Sequence, residues 1–444
     1  MNHDDLNNRR DGPLLPIIRE TRTIMKAITR SSYAHSLIAL AIAGSSLPVM
    51  ADDTGGFVED AKVNLTLRNF YFGRNFTDDK APQGTQAEWT QNFILDAKSG
   101  FTQGVVGFGV DVLGLYSQKL DGGGGTSGTQ LLPLDSSGKA VDNFGRLGVA
   151  VKAKISNTEL KVGEWMPVLP ILRSDDGRSL PQTFRGAQIT SKEITNLTLY
   201  GGQFRDNSPR NDASMLPMQL TGNTSHESDR FNFAGAEYTF NDKRTLVGAW
   251  YSQLEDIYKQ QYLQLIHSQP VGAWTLGANL GYFHGSDDGS ALDGKLDNNT
   301  YSAMLSAKYG GSTFYVGLQK LTGDSNWMRV NGTSGGTLAN DSYNSSYDNA
   351  QERSWQLRHD YNFAAVGVPG LTLMNRYIHG DNIHTATIDG GSEWGRESEI
   401  AYTFQEGTLK DLNLRWRNST MRRDYGTNQF NENRVIVSYP ISIL

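Results

Sequence analysis

The sequence predicts an all-β fold: a transmembrane antiparallel β-barrel of 18 strands, with long extracellular loops, some of them folded into the pore. Three observations predict it. After residue 51 no apolar run approaches the ~20 residues that a spanning helix needs, which excludes a helical membrane protein. Polar and apolar side chains alternate instead through segment after segment, the period of a strand with lipid on one face and water on the other. The joins between those segments alternate between tight and long, as they do in bacterial barrels.

The leader comes first. Met25 is followed by Lys26 and Arg30, then by the apolar stretch Leu37 to Ala43 and by Val49-Met50-Ala51, the pattern of a secretory signal cleaved after Ala51. Residues 1–24 fit no targeting pattern and are expected to be an extension ahead of a true start at Met25. Residues 25–51 are then the signal peptide and 52–444 a single barrel domain. With 444 residues, 38% hydrophobic and 20% charged, the chain lacks the charge excess of disorder. The absence of cysteine removes disulfide scaffolds and thiol chemistry, and a net charge of −6 argues against nucleic acid as a partner.

Eighteen strands are expected to begin near Lys62, Trp89, Phe101, Gly145, Glu159, Arg185, Leu197, Arg230, Arg244, Tyr258, Ala273, Thr300, Thr313, Arg353, Leu371, Ser398, Lys410 and Asn433. In the first, Val63, Leu65, Leu67 and Tyr71 oppose Lys62, Asn64, Thr66, Arg68 and Arg74. In later ones the row Trp274 to Tyr282 opposes Thr275 and Asn279, and the row Tyr301 to Tyr309 opposes Ser302 and Lys308. Near the end, Leu414 and Trp416 oppose Arg415 and Arg417, and Val435 to Ile443 oppose Arg434 and Ser438. Aromatic residues close the apolar rows at about the spacing of two interfacial girdles. Lys98-Ser99-Gly100, Ser156-Asn157, Asn241-Asp242 and Gly310-Gly311 read as tight joins; Gln118 to Asn143, Met166 to Pro181 and Thr322 to Glu352 read as long ones. The short join near Glu255 and the strand near Arg185 carry the weakest pattern, so sixteen strands is the alternative. An allotment of about 22 residues per strand and connection uses the whole domain.

Closure makes the first and last strands neighbours, so Arg68, Arg74, Arg415, Arg417 and Arg434 would share one lumen wall. Six residues separate Arg68 from Arg74 by roughly 15 Å along the pore. Arg434 is expected beside Arg74, with Arg415 and Arg417 lower, and Arg358 and Arg376 on strands farther round. Guanidinium groups that stay charged and bind carboxylates bidentately suit such a ladder to anionic solutes. The alternative is that lumen carboxylates neutralise these arginines and the network merely stiffens the wall. The proline-bearing, apolar segment Met166 to Pro181 is wrong for a solvated loop and right for a plug, which would bring Arg178 or Arg173 to face the ladder. The loops carrying Arg205 to Arg210 and Asn331 to Tyr347 are the next candidates for narrowing the pore.

Leu67-Arg68-Asn69-Phe70-Tyr71-Phe72, the stretch Phe101 to Asp111, Leu254-Glu255-Asp256-Ile257-Tyr258 and Val437-Ser438-Tyr439-Pro440 together resemble the OprD family of substrate-specific outer-membrane porins. The resemblance spans essentially all of residues 52–444. It implies a monomeric barrel in the Gram-negative outer membrane, inward loops and a basic ladder guiding carboxylate-bearing nutrients. Trp165 to Arg178 and Gly201 to Asp212 resemble the branch taking aromatic acids such as benzoate or vanillate more than the branch taking basic amino acids. By position, Arg68, Arg74, Arg178 and Arg210 match its ladder and constriction. Ending in Leu444, one residue past the outward row, departs from the terminal aromatic residue of many barrels.

Other motifs carry less. Gly332-Thr333-Ser334-Gly335-Gly336 fits G-x-S-x-G but lies in a long loop, without the strand-to-helix elbow that motif requires, so no catalytic residue is assigned. His267, His284, His359, His379 and His384 lack ligand spacing, and Asp287, Asp288, Asp293 and Asp297 lack calcium-loop spacing, so no metal or cofactor is expected. Those acidic residues suit a solvated loop near lipopolysaccharide. The expected function is passive diffusion of small carboxylates, aromatic ones favoured, with outer-membrane lipid as the surrounding partner. The alternatives are a basic-amino-acid channel using Asp175 and Asp176, and an adhesin or enzyme barrel using its loops or Ser334.

Overall fold

The computed structural model describes residues 55–444; the expected extension and signal peptide lie outside the described residues. Eighteen strands form one closed sheet: β1 Lys62–Phe76, β2 Thr85–Lys98, β3 Gly107–Gly122, β4 Asn143–Ile155, β5 Thr158–Trp165, β6 Thr183–Ser191, β7 Leu197–Ser208, β8 Phe231–Phe240, β9 Thr245–Leu254, β10 Tyr258–Val271, β11 Trp274–Asp287, β12 Asp297–Tyr309, β13 Ser312–Thr322, β14 Arg353–Asn362, β15 Leu371–His384, β16 Asp389–Thr403, β17 Asn413–Arg423 and β18 Phe430–Ser442. Every strand pairs antiparallel with its chain neighbours. β1 closes on β18, from Asn64 opposite Ser442 to Phe76 opposite Phe430. Closure leaves no strand edge, the condition for a sheet to stand in hydrocarbon, where an unpaired N–H costs several kcal/mol.

The outer surface is the apolar one. Leu147, Val151, Leu305, Leu318 and Leu357 are all exposed, and their strand neighbours in sequence face the lumen. A protein in water would bury these rows, so lipid is their solvent. Trp274 packs against Tyr309 and Tyr282 against Tyr301, with ring centroids 4.9 and 5.0 Å apart. Eight residues along β11 and β12 divide these two pairs, roughly 20 Å of tilted strand, which sets one pair at each interface.

One end of the barrel is joined by short turns. Ser156-Asn157, Gly310-Gly311 and the three left-handed residues Asn241, Asp242 and Lys243 lie there. The other end carries long loops at 123–142, 166–182, 209–230 and 323–352. The weakly patterned features are both present, as the three-residue join 255–257 and as β6. Two strand starts lie more than about four residues from those expected. β3 starts at Gly107, so the expected tight turn is the loop 99–106, and β16 starts at Asp389 instead of Ser398.

The lumen is filled unevenly. Phe184, Phe204, Phe231, Phe233, Trp250, Tyr262 and Phe283 point inward and pack with Leu169, Ile171 and Leu172, Met218 and Leu220, and Trp327, Met328 and Val330 from three long loops. Tyr262 stacks on Phe283 at 4.0 Å, and Trp327 meets Phe283 edge-on at 5.2 Å. Gly235 lies directly opposite Trp250, where a Cβ would come within 2.2 Å of the indole, so glycine is what admits the ring. A smaller cluster of Phe70, Phe72, Leu113, Leu115, Leu131, Leu132, Phe144 and Leu180 pins loops 123–142 and 166–182 to β1 and β3. Water is left with the remaining side, in front of β14 to β18 and β1.

Candidate functional site

Alternation along β1 turns Arg68, Phe70, Phe72 and Arg74 inward together, and the registers of β14 to β18 do the same for Arg358, Arg376, Arg415, Arg417 and Arg434. Of these, Arg74, Arg358, Arg376, Arg417 and Arg434 border a cavity of about 1140 Å³, faced by Arg173, Arg178, Arg210 and Arg329 on the loops. A second cavity of about 550 Å³ lies on the short-turn side, and Arg358 borders both.

Two aromatic rings organise the cluster. Around Phe72, which is fully buried, stand the guanidinium carbons of Arg434, Arg178 and Arg74 at 4.9, 5.0 and 5.3 Å from the centroid. Around Tyr343, on loop 323–352, stand Arg417, Arg434 and Arg376 at 4.9, 4.9 and 5.4 Å. Arg434 belongs to both. The negative face of each ring partly offsets the positive charges gathered on it.

Carboxylates are fewer than arginines. Glu432 binds Arg74 at 2.7 Å and Arg434 at 2.5 Å. Glu399 binds Arg417 at 2.5 Å and lies 3.5 Å from Arg415. Arg376 pairs with Glu397, and Arg358 with Asp360 at 2.7 Å. Arg178 has no carboxylate partner among the described residues: its Nε donates to the Thr129 carbonyl and its Nη1 to the Gly177 carbonyl, both at 2.9 Å. Burial, then the nearness of Arg434 and Arg210, pushes the Arg178 guanidinium well below its ordinary value. Because its carboxylates are outnumbered and shared, the wall keeps an excess of positive charge in a narrow, partly dehydrated space.

The sequence-predicted residues separate into two groups. Arg74, Arg178, Arg417 and Arg434 come together on the cavity. Arg68 does not border it: Asp176 takes its guanidinium through two bonds of 2.8 and 3.0 Å, and its Nη1 also donates to the Arg178 carbonyl at 2.9 Å. Arg415 lies outside the cavity as well, below Arg417. Arg210 borders it but is tied to Asp175 at 2.7 Å and to Gln130. Arg417 sits directly opposite Arg434, level with it and not lower, because the turn 424–429 sets that register. Arg376 stands on the same wall, since β15 is only three strands from β18. Phe72, Tyr343 and Glu432 are the residues the sequence reading missed. Phe72 shared the inward parity of Arg68 and Arg74, which was the available signal; Tyr343 carried none.

The remaining motif residues tie loops together. Ser334 donates its backbone N–H to the Arg173 carbonyl at 2.9 Å and its hydroxyl accepts from Gly336, so it fastens one loop to another. Asp288 accepts from Gln253 at 2.8 Å, and Asp293 binds His226 at 2.8 Å. No cluster of three or more His, Asp or Glu side chains suited to a metal occurs among the described residues.

Residues 55–443 match the family model described as outer membrane porin, OprD family. The chain belongs to that family. A BenF-like porin from Pseudomonas fluorescens Pf-5 is 74% identical with a TM-score of 0.87, across 87% of this chain and 100% of that one. OccK2 from Pseudomonas aeruginosa, in complex with glucuronate, is 63% identical with a TM-score of 0.81, across 88% and 100%. OpdK from the same species, with vanillate, is 48% identical with a TM-score of 0.83, across 87% and 100%. This porin is thus an 18-stranded channel of the Gram-negative outer membrane, and its family are channels, not enzymes.

Proposed function

We propose that this porin passes small carboxylates by passive diffusion, with a single carboxylate on a six-membered ring as the favoured form and aromatic acids such as benzoate or vanillate within it. One observation carries the reading: Glu432 and Glu399 each serve two arginines and Arg178 has no carboxylate, so a carboxylate entering the cavity meets guanidiniums with unused capacity. Ser342, Ser345, Ser346 and Thr333 border the same cavity and suit ring hydroxyls. Glucuronate and vanillate, bound by the two relatives above, share that chemistry. Binding at a guanidinium already half-engaged stays weak, as throughput needs. One chain is read as sufficient for passage, since its own strands and loops enclose the cavity. Recognition of basic amino acids is the weaker reading, since Asp175 and Asp176 are engaged by Arg210 and Arg68.

The test is single-channel current of the refolded porin in a planar bilayer at low salt, with benzoate or arginine added from one side, beside Arg417→Gln. Benzoate is expected to block or carry current, and the variant to weaken that response about tenfold, the loss of one charge-assisted bond. A response to arginine alone, or equal benzoate responses from both proteins, would refute the reading.

A further inference from the structure

The strand registers create a conflict that the barrel alone does not relieve. Arg417 of β17 and Arg434 of β18 are directly opposed, as are Arg358 of β14 and Arg376 of β15. Like charges facing each other across a ladder are destabilising. The second pair has a carboxylate for each member, Asp360 and Glu397. The first has only shares of two, because Glu399 also serves Arg415 and Glu432 also serves Arg74.

The face of Tyr343 occupies that deficit, 4.9 Å from each of the two guanidiniums and 5.4 Å from Arg376. The loop is built to hold it there. The Tyr343 carbonyl accepts from Arg434 Nη2 at 2.8 Å, and the Asp341 carbonyl from Arg376 Nη1 at 3.1 Å. Ser345 donates to Glu393 at 2.8 Å, and Gln319 of β13 donates to the Tyr347 carbonyl at 2.6 Å. The Tyr343 hydroxyl makes only long contacts, 3.4 Å to the carbonyls of Ser398 and Asn418. The ring, not the hydroxyl, meets the charges.

We infer that Tyr343 is a positioning residue of the filter: its ring stands in for the missing carboxylate and fixes the spacing of Arg376, Arg417 and Arg434 without cancelling their charge. A carboxylate there would neutralise the wall; a quadrupole steadies the cations and leaves them able to attract an anion. Phe72 does the same for Arg74, Arg178 and Arg434 from a strand, whereas Tyr343 arrives on a loop, so filter geometry depends on how that loop docks. The inference rests on the arginines being an anion filter, not on which carboxylate passes.

The experiment compares Tyr343→Leu and Tyr343→Phe with the unaltered porin in planar bilayers, reading the reversal potential in a dilute KCl gradient and the block by benzoate. Folding is checked by heat-modifiable gel mobility. Leu is expected to lower the chloride-over-potassium preference about three- to tenfold, the weight of one or two cation–π contacts, and Phe to stay within about twofold. Leu retaining the full preference would overturn the inference, and so would Phe falling as far as Leu, which would shift the role to the hydroxyl. If Leu loses chloride preference while benzoate blocks none of the three proteins, the positioning role stands and the carboxylate reading falls. If benzoate blocks all three alike and chloride preference is unchanged, the positioning role falls alone.

Discussion

Glu432 shows how closely charge and stability are bound together at the level of single side chains. It is almost wholly buried and holds Arg74 and Arg434 at once, and Arg434 is itself without exposed surface. Glu432→Gln keeps the shape but leaves two guanidiniums without their shared anion. Breaking a buried ion pair from one side costs about 3–5 kcal/mol, so the urea midpoint in micelles should fall markedly, while the molecules that fold should be more anion-selective. An unchanged midpoint would mean that lumen water already screens the pair. Parity along the strands was enough to turn Arg68, Arg74, Arg415, Arg417 and Arg434 inward from sequence alone. It was silent on which of them are consumed by partners, because Asp176 reaches Arg68 from a residue more than a hundred positions away. Ion pairing is set by tertiary placement, and so are the two aromatic rings.

Loop 323–352 is where an element, not a residue, sets behaviour. Asp341 sits near its tip, partly open to the lumen, bonded to Ser346 and close to Arg329, Arg376 and Asp348; burial pushes its carboxyl up to about 6. The sign follows from the raised value: the contribution of Asp341 to docking of the loop is full below pH 4, where the group is protonated in both the docked and the released loop, and is lost as pH rises through 6. Below pH 6 the cavity also loses one negative charge. Chloride selectivity should therefore rise as pH falls from 7 to 5, and Asp341→Asn should hold the low-pH value throughout; reversal potentials at each pH check both. Most strand starts were legible within a few residues because lipid enforces strict alternation. β16 was not, since Ser392, Arg396 and Ser398 interrupt its outward row of Trp394, Ile400 and Tyr402, while Gly391, Glu393, Gly395 and Glu397 face the lumen; Arg396 bonds Asn418 of the neighbouring strand on the outer side. Phe101 lies in the loop ahead of β3, which begins at Gly107, and its ring meets the Lys152 ammonium 5.0 Å from the centroid.

Across the whole molecule, one half of the lumen is a dry core of phenyl rings and loop residues and the other a charged passage. The passage acts through unscreened field, and the Debye length falls from ~10 Å at 0.1 M salt to ~3 Å at 1 M. Anion preference should thus decline steeply over that range, whereas the thermal midpoint, set mainly by the apolar half, should move little; reversal potentials and a melting series in the same salts test this together. The closing seam has a consequence of a different kind. Arg74 comes from the first strand to be synthesised, and its anion Glu432 and its neighbour Arg434 from the last, meeting only when β1 and β18 zip. A chain halted before Phe430 would hold the loops and most of the wall yet have no working filter. Selectivity is therefore a certificate of finished assembly: a barrel that discriminates between ions is one whose two ends have already found each other.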